Sequence, residues 1–190
     1  MTVIPEHPRC LALVGMPGSG KSLCAAHLQA RGFYQFRFGK IVVDEVIARG
    51  WDVTPENEKI VREELRASEG MAVMAQRALP HLLAALETHH SIIIDGLYSF
   101  SEYTLLKEKL DGLVVVAVFA DRELRYARLA TREERPLTAE EAQKRDYDEI
   151  QRIEKGGPIA LADFTLINNG DPQALLDALD ALLARLALTP

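Results

Sequence analysis

The stretch CLALVGMPGSGKSLCAAHLQA, residues 10–30, decides the reading of this chain. A short apolar run, Cys10 to Val14, leads into a loop with three glycines and a proline. The loop ends in Lys21-Ser22, and residues 21–31 then follow a helical pattern, stopped at Gly32. Gly15, Met16, Pro17, Gly18, Ser19, Gly20, Lys21 and Ser22 fit the pattern G-x-x-x-x-G-K-[ST]. Each part has a mechanical reason. Glycines allow the backbone to turn its N–H groups inward around an anion, and the following helix adds its positive end. In such a loop the lysine reaches the β- and γ-phosphates and the hydroxyl faces Mg²⁺. A plain strand-to-helix turn has no need of the Lys-Ser ending.

Working outward, apolar runs alternate with helical patterns. The expected strands are residues 10–15, 33–38, 91–96, 113–120 and 164–169. Helices are expected at 40–49, from Thr54-Pro55 to about 86 with interruptions at Gly70 and Pro80, and at 101–110, 122–132 and 139–155. Thr54 with Pro55 reads as a helix start, and Thr138 with Glu141 as a capping box. Asp171-Pro172 opens a last amphipathic helix rich in leucine. This alternation predicts a parallel sheet covered on both faces.

The 190 residues fit one domain, residues 1–190, with an acceptor-binding helical region at about 38–88 and a lid at about 122–150. Net charge is −6 and the isoelectric point is near 5.4, which argues against a nucleic-acid or anionic-membrane partner. No apolar run approaches the roughly 20 residues that span a bilayer, and the N-terminal segment has no signal pattern, so the expected location is the cytoplasm. Cys10 and Cys24 lack metal-ligand spacing and read as reduced core thiols.

Two further features point to phosphate chemistry. Asp95, at the end of IIID, is placed to hold Mg²⁺ in the crevice beyond the strands, and Gly96 beside it lets a substrate approach the backbone. Arg122, Arg125, Arg128 and Arg132 share one helical face. Arg128 and Arg132 are the expected clamps on a transferring phosphoryl group, with Arg145-Asp146 completing a closing lid. Their removal is expected to cut kcat more than nucleotide affinity.

GMPGSGKS resembles the P-loop of the nucleoside-monophosphate kinases, adenylate kinase in particular. IIIDG looks like the strand end of that family, and the arginine helix with its hairpin looks like its lid. ADFTLINNGD, residues 162–171, is similar to the last strand of dephospho-CoA kinases. By that resemblance Asn168, Asn169 and Gly170 lie near the adenine. Over nearly the whole chain the segments Thr54–Asn57, Glu64–Arg66, Asp95-Gly96 and Ala160–Gly170 resemble a mostly archaeal adenylate-kinase-related family.

The resemblance implies a three-layer α/β P-loop NTPase fold with a five-stranded parallel sheet and a small helical lid. It also implies an ATP–Mg²⁺-dependent kinase acting on a small, nucleotide-like acceptor. The chain departs from adenylate kinases at Phe38-Gly39-Lys40, at Val43 and at Leu97-Tyr98-Ser99, where both acceptor arginines are missing. Lys40, Arg37, Arg62 and Arg66 are the candidate replacements, and Gly39 is also expected on the acceptor side. The rival reading is a nucleotide-dependent switch without an acceptor.

Overall fold

The computed structural model describes residues 7–190. Five strands form one parallel sheet: β1 (Cys10–Val14), β2 (Tyr34–Arg37), β3 (Ile92–Asp95), β4 (Leu113–Phe119) and β5 (Phe164–Ile167). Their spatial order is β2-β3-β1-β4-β5. β1 is therefore central, paired Cys10 to Ile92 on one side and Cys10 to Leu113 on the other. The expected three-layer α/β architecture is the one observed.

The strand period of two divides the core into two slabs. Cys10, Ala12 and Val14 join Ile92 and Ile94 on one face, against α2 (Gly39–Ala48), α3 (Pro55–Glu69), α4 (Val73–Thr88) and α5 (Phe100–Lys109). Leu11 and Leu13 join Ile93, Val114 and Val116 on the other face, against α1 (Lys21–Ala30) and α9 (Pro172–Arg185). Both cysteines are buried, and burial pushes their thiols up to about 12 for Cys10 and about 11 for Cys24.

The connections open the crevice. After β1 the chain goes to α1 on one face; after the neighbouring β3 it goes to α5 on the opposite face. Adjacent strands whose helices part in this way leave a cleft beyond their carboxyl ends. The phosphate loop and Asp95 meet there.

Local signals place most helices. Thr54 Oγ1 accepts from the Asn57 amide, with Pro55 in the first turn of α3. The Thr138–Glu141 box opens α7 (Ala139–Ile153), and Asp171 caps α9.

Two sequence expectations fail. Pro80 does not interrupt α4, because Pro80 and Gln76 are both solvent-exposed, so the carbonyl left unpaired four residues back is open to water. α6 (Arg122–Ala130) also stops before Arg132. α6 and α7 form a helical hairpin over the segment expected as the lid, and the short α8 (Gly156–Ala160) follows. Among the described residues, no helix is long and apolar enough to cross a membrane.

Candidate active site

The phosphate loop is shaped by what crowds it. A Cβ at Gly15 would lie 2.4 Å from the Val118 carbonyl oxygen, and one at Gly18 would lie 2.7 Å from that of Arg125. Both glycines have positive φ, 147° and 79°. A side chain at either place would collide with backbone, so the close approach of the loop to β4 and the lid requires glycine. Ser19 is buried and its Oγ has no hydrogen-bond partner.

Lys21 Nζ donates to the carbonyls of Gly15 and Met16, the latter at 3.2 Å. These are neutral partners for a part-buried cation. Burial lowers its pKa to about 7, and repulsion from Lys155 is the next largest cause. A lysine in that state gains when an anion arrives.

A cavity of about 520 Å³ runs from this loop across the crevice. Pro17, Gly18, Ser19, Gly20, Lys21 and Ser22 form one end. Gly39, Arg62 and Arg66 line it on the α2–α3 side, together with Arg37 and Phe38. Arg128, Arg132 and Arg145 reach it from the lid. Asp95 lines it between the two ends, 3.4 Å from Arg37 Nε. Asp95 is not a helix cap: Ser99 and Glu102 form the capping box of α5.

Ser22 and Asp95 offer a hydroxyl and a carboxylate to the same cavity, beside an unpartnered buried hydroxyl and a glycine cradle. Such an all-oxygen set with one carboxylate suits Mg²⁺, which takes most remaining ligands from phosphate and water. The residues present therefore fit the ion.

The four arginines do not act as one face. Arg125 is turned inward and buried, paired with Asp146 at 2.5 and 3.0 Å, and it donates to the Pro17 carbonyl at 3.0 Å. It fastens α6, α7 and the phosphate loop together. Arg122 is exposed and does not line the cavity. Arg128 donates to the Gly18 carbonyl at 3.4 Å and to the Asn168 carbonyl at 2.9 Å. Helical spacing shows which residues are neighbours, not what stands opposite them.

Other expected site residues lie off the cavity wall. Lys40 is paired with Asp44 at 2.6 Å, and Asp44 faces a separate groove with Glu45, Arg77 and His81. Gly96 sits behind the Tyr98 ring. Asn168 is buried, and its amide donates to the Ser19 carbonyl at 2.8 Å, while Asn169 accepts from the Asp121 amide. Gly170 is exposed.

Sequence reasoning missed Glu149, Lys155 and Glu102. Glu149 accepts from Arg145 Nε at 3.0 Å and from Lys155. Burial alone would raise its pKa, but Lys155 and Arg145 draw it down on balance. Glu102 is fully buried and accepts from the Tyr98 and Ser99 amides at 2.8 and 3.0 Å. Burial pushes its carboxyl up, against those amides and Arg66, whose Nη2 is 3.8 Å from its other oxygen. The spacing Ser99-x-x-Glu102 is the one signal that was available for it.

Comparison with known proteins sharpens this picture. A UPF0200 protein of Thermococcus kodakarensis is 35% identical over 162 residues, covering 83% of this chain and 87% of the relative. A family profile described as an AAA domain matches residues 11–153. The chain belongs to the UPF0200 family. Its membership of the wider P-loop superfamily follows from the same match and from the fold. The crystal structure of TT1252 from Thermus thermophilus superposes with a TM-score of 0.65 at 24% identity, covering 95% of this chain and 98% of that one. A gluconokinase from Sinorhizobium meliloti gives 0.57 at 17% identity, over 95% and 94% of the two chains. At those identities the likeness speaks for the shared fold of this UPF0200 member.

Proposed function

We propose that this protein transfers the γ-phosphoryl group of ATP–Mg²⁺ to a small, nucleotide-like acceptor, a nucleoside monophosphate or a cofactor precursor such as dephospho-CoA. One observation carries the reading: the phosphate loop and an arginine-rich α2–α3 wall are two ends of one cavity, bridged by lid arginines. A binding switch needs the first end only. A protein of the same fold is named a gluconokinase, which favours a kinase reading.

In this reading Lys21 leaves the Gly15 and Met16 carbonyls for the β- and γ-phosphates, and the loop amides hold the remaining phosphate oxygens. Ser22 and Asp95 hold Mg²⁺. The ion, when bound, neutralises charge on the β- and γ-oxygens. Arg132 and Arg145 face the transferring group from the lid, while Arg62 and Arg66 hold the acceptor, with Arg66 steadied from behind by Glu102. Gly39 leaves room for the acceptor on the same wall. Arg128, tied to Gly18 and Asn168, belongs at the nucleotide end. Catalysis is then positioning and electrostatic stabilisation in a water-poor cleft.

The test is a panel of nucleoside monophosphates, deoxynucleoside monophosphates and dephospho-CoA with ATP–Mg²⁺. The expected result is ADP release stimulated by one acceptor class. Slow release that no acceptor changes would replace the kinase with the switch.

A further inference from the structure

The α7–α8 turn drives a lysine into the cavity, and no sequence motif announces it. Glu154 adopts a left-handed backbone with φ of 58°. Its carboxylate accepts from the Ser101 hydroxyl at 2.9 Å, which fastens the turn to α5. Gly157 lies so close to the Phe100 ring that a Cβ would meet it at 2.8 Å. Held on both sides, the turn points Lys155 inward. The residue is 3% exposed, and its Nζ lies 4.8 Å from the centre of the Tyr98 ring.

The charges around it do not balance. Lys155 shares one carboxylate, Glu149, with Arg145. Lys21 and Asp95 line the same part of the cavity, and Asp95 also has Arg37 at 3.4 Å. Lys21, Lys155, Arg145 and Arg37 thus face Glu149 and Asp95, while the nearby Asp146 is taken by Arg125. Lys155 is the buried member of this surplus, with Lys21 part-buried and Arg145 and Arg37 open to solvent, and a buried ammonium that shares its one carboxylate is relieved by a multiply charged anion. A lysine whose only task was to fasten the lid would need no second cation beside its carboxylate.

We propose that Lys155 is a further catalytic residue, a second lysine that contacts the transferring phosphoryl group from the side opposite Lys21. This rests on the phosphotransfer reading above. In the step, an acceptor oxygen bonds to the γ-phosphorus and the bond to the β–γ bridging oxygen breaks. That electron pair stays on ADP, and any acceptor proton passes to water. Lys155 turns from Glu149 to the equatorial oxygens as their charge spreads, and Glu149 keeps Arg145 as its partner. A lysine suits this task because its ammonium is a compact charge on a flexible stem.

The test uses the full chain, ADP–Mg²⁺ and aluminium fluoride, which with ADP mimics the phosphoryl group in flight. Titration calorimetry measures ADP–Mg²⁺ affinity with and without fluoride. In the wild type, fluoride should tighten binding by about tenfold or more. Lys155→Met should lose most of that gain with ADP affinity alone held within about twofold. Lys155→Arg should keep part of the gain. Glu149→Gln should keep it in full, because Lys155 remains. A melting curve for each variant reports folding, and if Lys155→Met does not fold, the other two variants decide.

The proposal is overturned if Lys155→Met keeps the whole gain, or if it loses ADP affinity in proportion. It is overturned equally if Glu149→Gln mimics Lys155→Met, which would make the ion pair a lid fastening. Wild-type ADP binding without a fluoride gain also sinks it, while the nucleotide site stands. No ADP–Mg²⁺ binding at all is a different failure, that of the phosphotransfer reading itself.

Discussion

Arg128 and Arg132 are four residues apart, yet their surroundings assign them different work. Arg128 is bonded to carbonyls of Gly18 and Asn168, whereas no protein hydrogen bond holds Arg132 among the described residues, and it lines the cavity from beyond the end of α6. Arg128→Ala should therefore raise the KM for ATP by about tenfold with little change in kcat. Arg132→Ala should instead lower kcat by about 10³-fold. Steady-state kinetics on the two variants checks the split, and equal effects on both constants would remove it. Lys21→Ala should abolish turnover, since no other side chain donates from within the loop; retained activity would take the loop out of the mechanism. Gly15→Ala makes a separate point about the fold. Its methyl would strike the Val118 carbonyl in a backbone region that disfavours side chains. Urea unfolding should show a loss of about 1–3 kcal/mol.

At the scale of elements, the α6–α7 hairpin, the proposed lid, is pinned at one point. Arg125 and Asp146 are both buried, and Tyr126 adds its hydroxyl to the same carboxylate at 3.2 Å. Breaking such a pair strands a charge in a dry site. Arg125→Ala should cost about 3–5 kcal/mol in the stability of the hairpin. Native-state hydrogen exchange checks this, with lost protection expected in α6 and α7 and little change in β1 or β3. Here the limits of the sequence are clearest. The strands were readable because their apolar runs are continuous, and the phosphate loop because its residues are contiguous. Thr138–Glu141 and Thr54-Pro55 were readable because caps act within one turn. Arg125 and Arg128 were indistinguishable, because only the packed fold shows that Asp146 stands opposite the first and the Asn168 carbonyl opposite the second. Lys155 was invisible for the same reason: its inward path depends on Ser101 and Phe100, more than fifty positions away. Pro80 misled because a proline breaks a helix only where the freed carbonyl has nowhere to go.

For the molecule as a whole, the proposed ligand would relieve a cost held in the fold. The two core slabs meet at the sheet, but at its carboxyl edge α1, α2, α3 and the α6–α7 hairpin converge on a cavity whose charged lining is mostly cationic. Lys155 is buried there and Lys21 part-buried, and burial lowers the pKa of each, so the apo protein holds charge where charge is disfavoured. On the proposed function, a nucleotide with Mg²⁺ would offset that charge and bind the folded state alone. At a hundredfold excess over Kd this linkage adds about 2.7 kcal/mol. For a chain of this length each kcal/mol raises Tm by about 2–4 °C, so ATP–Mg²⁺ should raise it by about 5–10 °C. A chelator should remove most of the shift, because Ser22 and Asp95 then face the phosphates without a cation between them. Lys21→Ala should remove it too, while raising the Tm of the apo protein, since the variant no longer buries that ammonium. Scanning calorimetry reads both effects at once. An apo Tm that falls in Lys21→Ala would mean the lysine stabilises the empty loop through its carbonyl bonds, and the cavity would not be held at a cost awaiting its anion.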